Sequence, residues 1–170
     1  MPHEDLSGIF PGIFSGAAMK ESAVLLIFIL DAQRYALPLP DVDRVVRMAT
    51  VTPLPKAPGI VLGVINIQGR VIPIINMRQR FCLPDKEIAL TDQLIVAHTR
   101  RRSVALVADA VQDVAGYPAQ SIVPAEHIVP GAEYVQGVIK LEDGLVLIHD
   151  LDKFLSLEEE NFLDRALATC

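Results

Sequence analysis

The chain has 170 residues, 51% hydrophobic and 21% charged, and its 15 Lys and Arg against 21 Asp and Glu give a net charge of -6. This apolar content excludes a disordered chain, and the acidic balance argues against a nucleic-acid surface. With no Trp, three Tyr and six Phe there is little aromatic surface for stacking bases, sugars or cofactors, while twelve Pro and ten Gly spread along the chain point to many short segments separated by turns.

Residues 1–20, MPHEDLSGIFPGIFSGAAMK, carry acids where a secretory signal carries Lys or Arg, and Gly and Pro interrupt their apolar character. They are read as a flexible tail, with docking of its two Ile-Phe pairs as the alternative. The longest apolar run, Ala23 to Leu30, is less than half of the about 20 residues needed to cross a bilayer as a helix. The chain is therefore expected in the cytoplasm, without direct membrane insertion.

From Ala23 onward the chain reads as short Val-, Ile- and Leu-rich strands broken by turn formers: ILDAQRYAL, VTPLPKAPG, INIQGRV, VAHTRRRSVAL and KLEDGLVL. Gly at or just after a hairpin turn supplies the positive φ that the turn between right-twisted strands needs. Pro38 and Pro73 lie inside apolar runs, where a missing N–H is tolerated only at an edge or a bulge, as small curved barrels provide. His98-Thr99-Arg100-Arg101-Arg102 is read as a solvated hairpin tip. Cys82 and Cys170 have no paired-thiol or metal-ligand spacing and are read as free thiols. At the end, Ser156 followed by Glu159 is a capping box, and Phe162, Leu163, Ala166 and Leu167 form one apolar face of a short docking helix.

The chain repeats itself. GVINIQGRVIPIINM, Gly63 to Met77, aligns without a gap on GVIKLEDGLVLIHDL, Gly137 to Leu151, so the tip Gln68-Gly69-Arg70 falls on Glu142-Asp143-Gly144. Upstream, Ala36-Leu37 falls on Ala105-Leu106, Val42 on Val111 and Val45 on Val114. The second half carries extra residues in PAEHIVPGAEYVQ. Two barrels of this size have small cores, so the expectation is one body in which they pack together with a groove between the lobes.

No pattern for catalysis emerges. There is no Gly-rich phosphate loop, G-x-S-x-G elbow, H-E-x-x-H or Cys-x-x-Cys motif. His149, Asp150 and Asp152 are the one local His and carboxylate group, and alternate residues of a strand point oppositely, so capping and packing are favoured over chemistry. No catalytic residue, metal or cofactor is expected, and function is sought in surfaces.

The run LPKAPGIVLGVINIQGRVIPIINMRQRF resembles the most characteristic segment of the CheW-like family, the bacterial chemotaxis coupling proteins. The similarity extends over about residues 23 to 167, through LLIFILDAQRYALPLPDVDRVV, VALVADAVQDV and LVLIHDLDKFLSLEEENFLDRAL. It implies an all-β fold of two packed SH3-like five-stranded β-barrels, an internal duplication, with a short C-terminal α-helix. Residues 21–90 would form the first barrel, 91–155 the second, and 156–170 the helix and tail.

The resemblance also implies a non-enzymatic adaptor that couples chemoreceptor cytoplasmic tips to a CheA-like histidine kinase. Its partners would be the kinase regulatory domain and the cytoplasmic domain of a methyl-accepting chemoreceptor, with recruitment to membrane receptor arrays. The receptor-facing residues it implies are Val42, Arg44, Val45, Gly63, Asn66, Gln68, Gly69 and Arg70. The kinase-facing ones lie at the second hairpin, Val138, Leu141 and Leu145. Gln68 stands where the family pattern has Arg, and Arg44 where it has an acid; Arg70 is the candidate to supply the missing cation. Two alternatives accompany this reading: a paralogue serving a surface-motility or developmental pathway, and a small-molecule-binding barrel.

Overall fold

The computed structural model describes residues 22–124 and 134–168. The expected N-terminal tail, Cys170 and most of the inserted segment before the second hairpin fall outside them. Eleven strands run through the described residues: β1 (Ser22–Leu30), β2 (Gln33–Pro38), β3 (Val42–Arg47), β4 (Val61–Ile67), β5 (Arg70–Ile75), β6 (Gln93–His98), β7 (Ser103–Ala108), β8 (Ala110–Pro118), β9 (Ile122–Pro124), β10 (Val135–Leu141) and β11 (Gly144–His149). One helical turn, α1 (Met77–Arg80), follows β5, and α2 (Leu157–Ala168) ends the described chain. No helix among the described residues is long and apolar enough to cross a membrane.

The strands form two sheets, one ordered β8-β1-β2-β11-β10-β9 and the other β3-β6-β7-β5-β4. The duplication is visible in both, but the sheets do not divide the chain near residue 90. The β1–β2 hairpin of the first half pairs with β8 and β11 of the second, and the β6–β7 hairpin of the second pairs with β3 and β5 of the first. The halves have exchanged their first hairpins. A strand order of this kind cannot be inferred from similarity between halves, because exchanged and unexchanged pairings bury the same residues.

Each sheet curls into an SH3-like barrel. Past β3 the chain pairs again at Thr52, whose N–H donates to Val64 O of β4 at 2.9 Å while the Val64 N–H donates to Thr52 O at 2.8 Å. In the other barrel the same closure is longer: β8 passes through a 3₁₀ turn, Ala119–Ser121, into β9, which pairs with β10. That addition gives six strands in one barrel where five were expected, and five in the other.

Alternation explains why β1 reads as an unbroken apolar run. Leu25 and Ile27 point into one barrel with Ala36, Ile139, Val146 and Ile148. Leu26, Phe28 and Leu30 point the other way, into a cluster shared with Ile75, Ile95, Leu106, Phe154 and Leu163. A third cluster, with Ile65, Ile72, Ile74, Leu94, Val96 and Ala105, fills the second barrel. Both faces of β1 and β6 are buried, so neither shows polar alternation. The seam between the barrels is itself a core: Leu37, Phe28 and Leu106 are fully buried there, and burying such a side chain is worth roughly 2 kcal/mol. The expected groove between lobes is thus largely filled.

Helix α2 completes the seam. Ser156 Oγ accepts the Glu159 N–H at 3.2 Å and Glu159 Oε1 accepts the Ser156 N–H at 2.7 Å, the reciprocal capping the sequence predicts. Leu163 is fully buried in the shared cluster, with Phe162 and Leu167 packed beside it.

Candidate interaction surface

The β4–β5 hairpin pairs Ile67 with Arg70, leaving Gln68 and Gly69 as a two-residue loop. Their φ values are +52° and +84°, the primed turn that matches strand twist. The Gly69 N–H donates to Asn66 Oδ1 at 2.8 Å, fixing the tip. Asn66, Gln68 and Gly69 are exposed. Arg70 leans across the sheet instead of standing at the tip: its Nη2 donates to Ser103 Oγ of β7 at 2.8 Å. It therefore does not occupy the place of a cation at position 68.

Gly63 belongs to the architecture. It sits at a register shift in β4 with φ +151°, and a Cβ there would lie 2.5 Å from Thr52 O and 2.8 Å from Val51 Cγ1. The absence of a side chain is what lets the closing segment reach β4. Gly137, its duplicate, sits at the matching shift in β10, where a Cβ would lie 2.6 Å from Ile122 Cγ2. The repeated Gly is therefore a closure residue in both barrels. Being buried, Gly63 offers a partner no side chain.

On β3, Val42 and Val45 are half-buried against the shared cluster, while Arg44 is exposed. No hydrogen bond or ion pair joins Arg44 to the Gln68-Gly69 tip; the two belong to one closed barrel, linked through the Thr52 bridge. At the second hairpin Val138 is fully buried and cannot face a partner. Leu145 is 41% exposed, and Leu141 packs at the rim of its barrel core. Asp143 at that tip is tied to Arg34 of β2 at 2.7 Å.

Two constellations escaped sequence reasoning. The first is Arg78, buried on α1, whose Nη2 reaches both carboxylate oxygens of Asp109 at 2.9 and 2.8 Å while Nη1 reaches Asp31 at 3.0 Å and Pro84 O at 3.1 Å. Partial burial would raise the Asp109 carboxyl, but the Asp31 N–H and the Arg78 guanidinium outweigh it and hold it below the usual carboxylate range. A sequence signal for it existed, since extending the repeat by one residue places Arg78 on Asp152.

The second is an aromatic cluster on the seam. His149 lies 4.3 Å from the Phe81 ring, 4.8 Å from Tyr35 and 5.3 Å from Phe154, with Phe28 edge-on at 6.1 Å. It is fully buried with neither ring nitrogen hydrogen-bonded, and burial pushes its pKa down to about 3. A neutral, enclosed imidazole is a packing group here. Asp152, on the other side of the chain, accepts the Arg100 N–H at 2.8 Å. Among the described residues no cluster of three or more His, Cys, Asp or Glu is placed to hold a metal. Beside the aromatic cluster lies a cleft of about 420 Å³ lined by Arg80, Tyr134, Lys153, Leu155 and Ser156.

The basic tip after β6 is more than a solvated turn. Arg102 Nε donates to Glu160 Oε1 at 2.8 Å and its Nη2 pairs with Asp164, which Arg101 also reaches at 2.8 Å. With Arg80 and Glu159 at 2.5 Å, these pairs clasp α2 to the barrels.

A family model for the CheW-like domain matches residues 24–159. The chain is 31% identical over 137 residues to the chemotaxis protein CheW of Rhizobium meliloti, covering 79% of this chain and 88% of that one. It is 30% identical over 141 residues to the chemotaxis protein CheW of Klebsiella aerogenes, covering 82% and 85%. The crystal structure of the scaffolding protein TtCheW from Thermoanaerobacter tengcongensis resembles it with a TM-score of 0.74 at 25% identity, over 81% of this chain and 94% of that one.

Proposed function

The chain belongs to the CheW-like family, and from that membership we propose that it is a non-enzymatic scaffold of bacterial chemotaxis, coupling chemoreceptor cytoplasmic tips to the regulatory domain of a histidine kinase. The observation that carries this reading is the duplicated two-barrel body, which matches a scaffolding protein over 94% of that protein's length. On this reading it works in the cytoplasm, recruited to membrane receptor arrays through its partners.

The receptor tip packs against β3 and the β4–β5 hairpin, through Val42, Arg44, Val45, Asn66, Gln68, Gly69 and Arg70. Half-buried valines offer apolar contact, and exposed polar groups at the rim fix orientation. The kinase regulatory domain meets the opposite barrel near Leu141 and Leu145, the accessible members of the second-hairpin set.

The test is reconstitution. Receptor cytoplasmic fragments, kinase and this chain are co-sedimented on vesicles and receptor-dependent phosphorylation is followed. Kinase stimulation that appears only when the chain is added supports the reading; a chain that binds neither partner overturns it.

A further inference from the structure

The cleft of about 420 Å³ beside the aromatic cluster lies where the two halves of the chain meet. Arg80 reaches it from α1, Tyr134 from the approach to β10, Lys153 from the 3₁₀ turn Leu151–Lys153, and Leu155 and Ser156 from the lead into α2. The chain has 21 acids, yet none stands among these lining residues. Their polar side chains are two cations and two hydroxyls. The scaffold reading assigns this cleft no role.

The donors on this lining are only partly used. Arg80 Nη2 is spent on Glu159 at 2.5 Å, but Nη1 reaches only the Tyr134 hydroxyl oxygen, at 3.4 Å, and Nε is buried with no hydrogen-bond partner among the described residues. Buried donors left without a partner are rare, because each forfeits the hydrogen bond it had in water. The Tyr134 hydroxyl oxygen accepts from Arg80, and Ser156 Oγ accepts the Glu159 N–H at 3.2 Å, so neither hydroxyl hydrogen has an acceptor among the described residues. Lys153 is 64% exposed, and its nearest carboxylate oxygen, on Asp150, is 3.9 Å away, beyond hydrogen-bond distance. Glu159, the one acid that touches Arg80, is itself occupied: its Oε1 takes both Arg80 and the Ser156 N–H.

We infer that this cleft binds an organic oxyanion, a small molecule carrying a carboxylate or a phosphate, with Arg80 and Lys153 meeting its charge and the Tyr134 and Ser156 hydroxyls donating to its oxygens. A guanidinium is a planar fork of N–H groups that matches carboxylate and phosphate oxygens, and a lysine beside it adds a second point of positive charge. A volume of about 420 Å³ falls in the range of small-molecule sites, roughly 300 to 1,000 Å³, and exceeds what a bare inorganic anion fills. Leu155 and the Tyr134 ring supply the apolar wall that an organic body needs. The inference stands apart from the scaffold reading and uses none of the residues assigned to receptor or kinase.

The test is a titration of the full chain, followed by the NMR shifts of its amides, with benzoate, phenyl phosphate and the neutral benzamide. The two anions should give saturable shifts at the Tyr134, Lys153, Leu155 and Ser156 amides, and benzamide should give none. Because Arg80 also holds Glu159, the variants are taken at Lys153→Ala and Tyr134→Phe, with Lys140→Ala, an exposed cation of β10, as the control. Lys153→Ala should weaken anion binding roughly tenfold and Tyr134→Phe roughly threefold, while Lys140→Ala should leave it unchanged. Thermal melts check that each variant folds. Tighter binding of phenyl phosphate identifies a phosphate ester as the ligand class, and tighter binding of benzoate a carboxylate. The inference is overturned if no probe gives saturable shifts at the cleft, if benzamide binds as well as the anions, or if both cleft variants bind as the wild type does. Shifts spread over the exposed cations of both barrels, the mark of non-specific ion binding, overturn it too. Each of these outcomes leaves the scaffold reading standing, since none involves receptor or kinase.

Discussion

Arg78 and Asp31 meet at 3.0 Å across the two barrels, and the equivalent positions of the second half hold Asp152 and Arg100, the same pairing with its charges exchanged. The two are not equal in weight. The Arg78 side chain is 10% exposed and also grips both oxygens of Asp109, while the Arg100 side chain is 90% exposed, 3.6 Å from Asp152, and contributes mainly its backbone N–H. Removing one partner of a buried pair costs about 3 kcal/mol, whereas exposed pairs contribute about 0.5 kcal/mol. Urea denaturation should show Arg78→Ala destabilised by about that larger amount and Arg100→Ala nearly unchanged. Equal losses would mean that the Arg78 site is not a joint between barrels.

His149 predicts a pH dependence. Its folded pKa of about 3 lies below the ordinary 6.5, so between these values the unfolded chain binds a proton that the folded chain refuses. The associated stability is complete above pH 6.5 and declines as pH falls toward 3. From pH 6.5 to 4.5 the loss should be roughly 2 kcal/mol. His149→Phe, which keeps an aromatic ring among Phe28, Tyr35, Phe81 and Phe154, should flatten this slope in urea titrations at stepped pH. An unchanged slope would show that His149 takes up its proton as readily in the folded chain as in the unfolded one.

The glycines separate by position. At Gly63 an added Cβ meets the Thr52 carbonyl at 2.5 Å, so Gly63→Ala should cost about 3 kcal/mol and weaken protection of the Thr52 and Val64 amides in hydrogen exchange. At Gly69 nothing lies within 4 Å of the added atom, and only its φ of +84° resists substitution. Gly69→Ala should therefore cost only about 1 kcal/mol.

The clasp on α2 is testable through Arg102, whose side chain and that of Glu160 are 10% and 9% exposed. Arg102→Ala should cost about 2 kcal/mol and speed exchange of the α2 amides before those of the strands. The Arg102/Glu160 double variant should be less destabilised than the sum of the single variants. Additive losses would show that the two side chains act independently.

Much of the architecture was legible because strand and helix signals are local. Short β-branched runs between turn formers mark hairpins, Ser156 and Glu159 mark the start of α2, and two ungapped copies of one pattern reveal the duplication. Of the residues that the resemblance implies for contacts, Asn66, Gln68, Gly69 and Arg44 are exposed, while Gly63 and Val138 are buried. A repeated residue in one sequence does not say whether it repeats for a partner or for the barrel.

The sequence by itself determined the all-β duplicated body, the hairpin tips and the capped terminal helix, because strands, tips and cap rest on spacing within about ten residues and the duplication on comparing one stretch of the chain with another. Only the tertiary structure decided that the halves exchange their first hairpins, that Gly63 and Gly137 make room for the barrel closures, and that Arg78 joins Asp31 to Asp109. Those are contacts between segments far apart in the chain, selected by which apolar faces meet, and the pattern of a single strand does not record its neighbour. The run of cations from Arg44 to Arg80 stood in the sequence throughout. Folding determined which are neutralised by carboxylates from elsewhere, as Arg78 and Arg80 are, and which stay exposed.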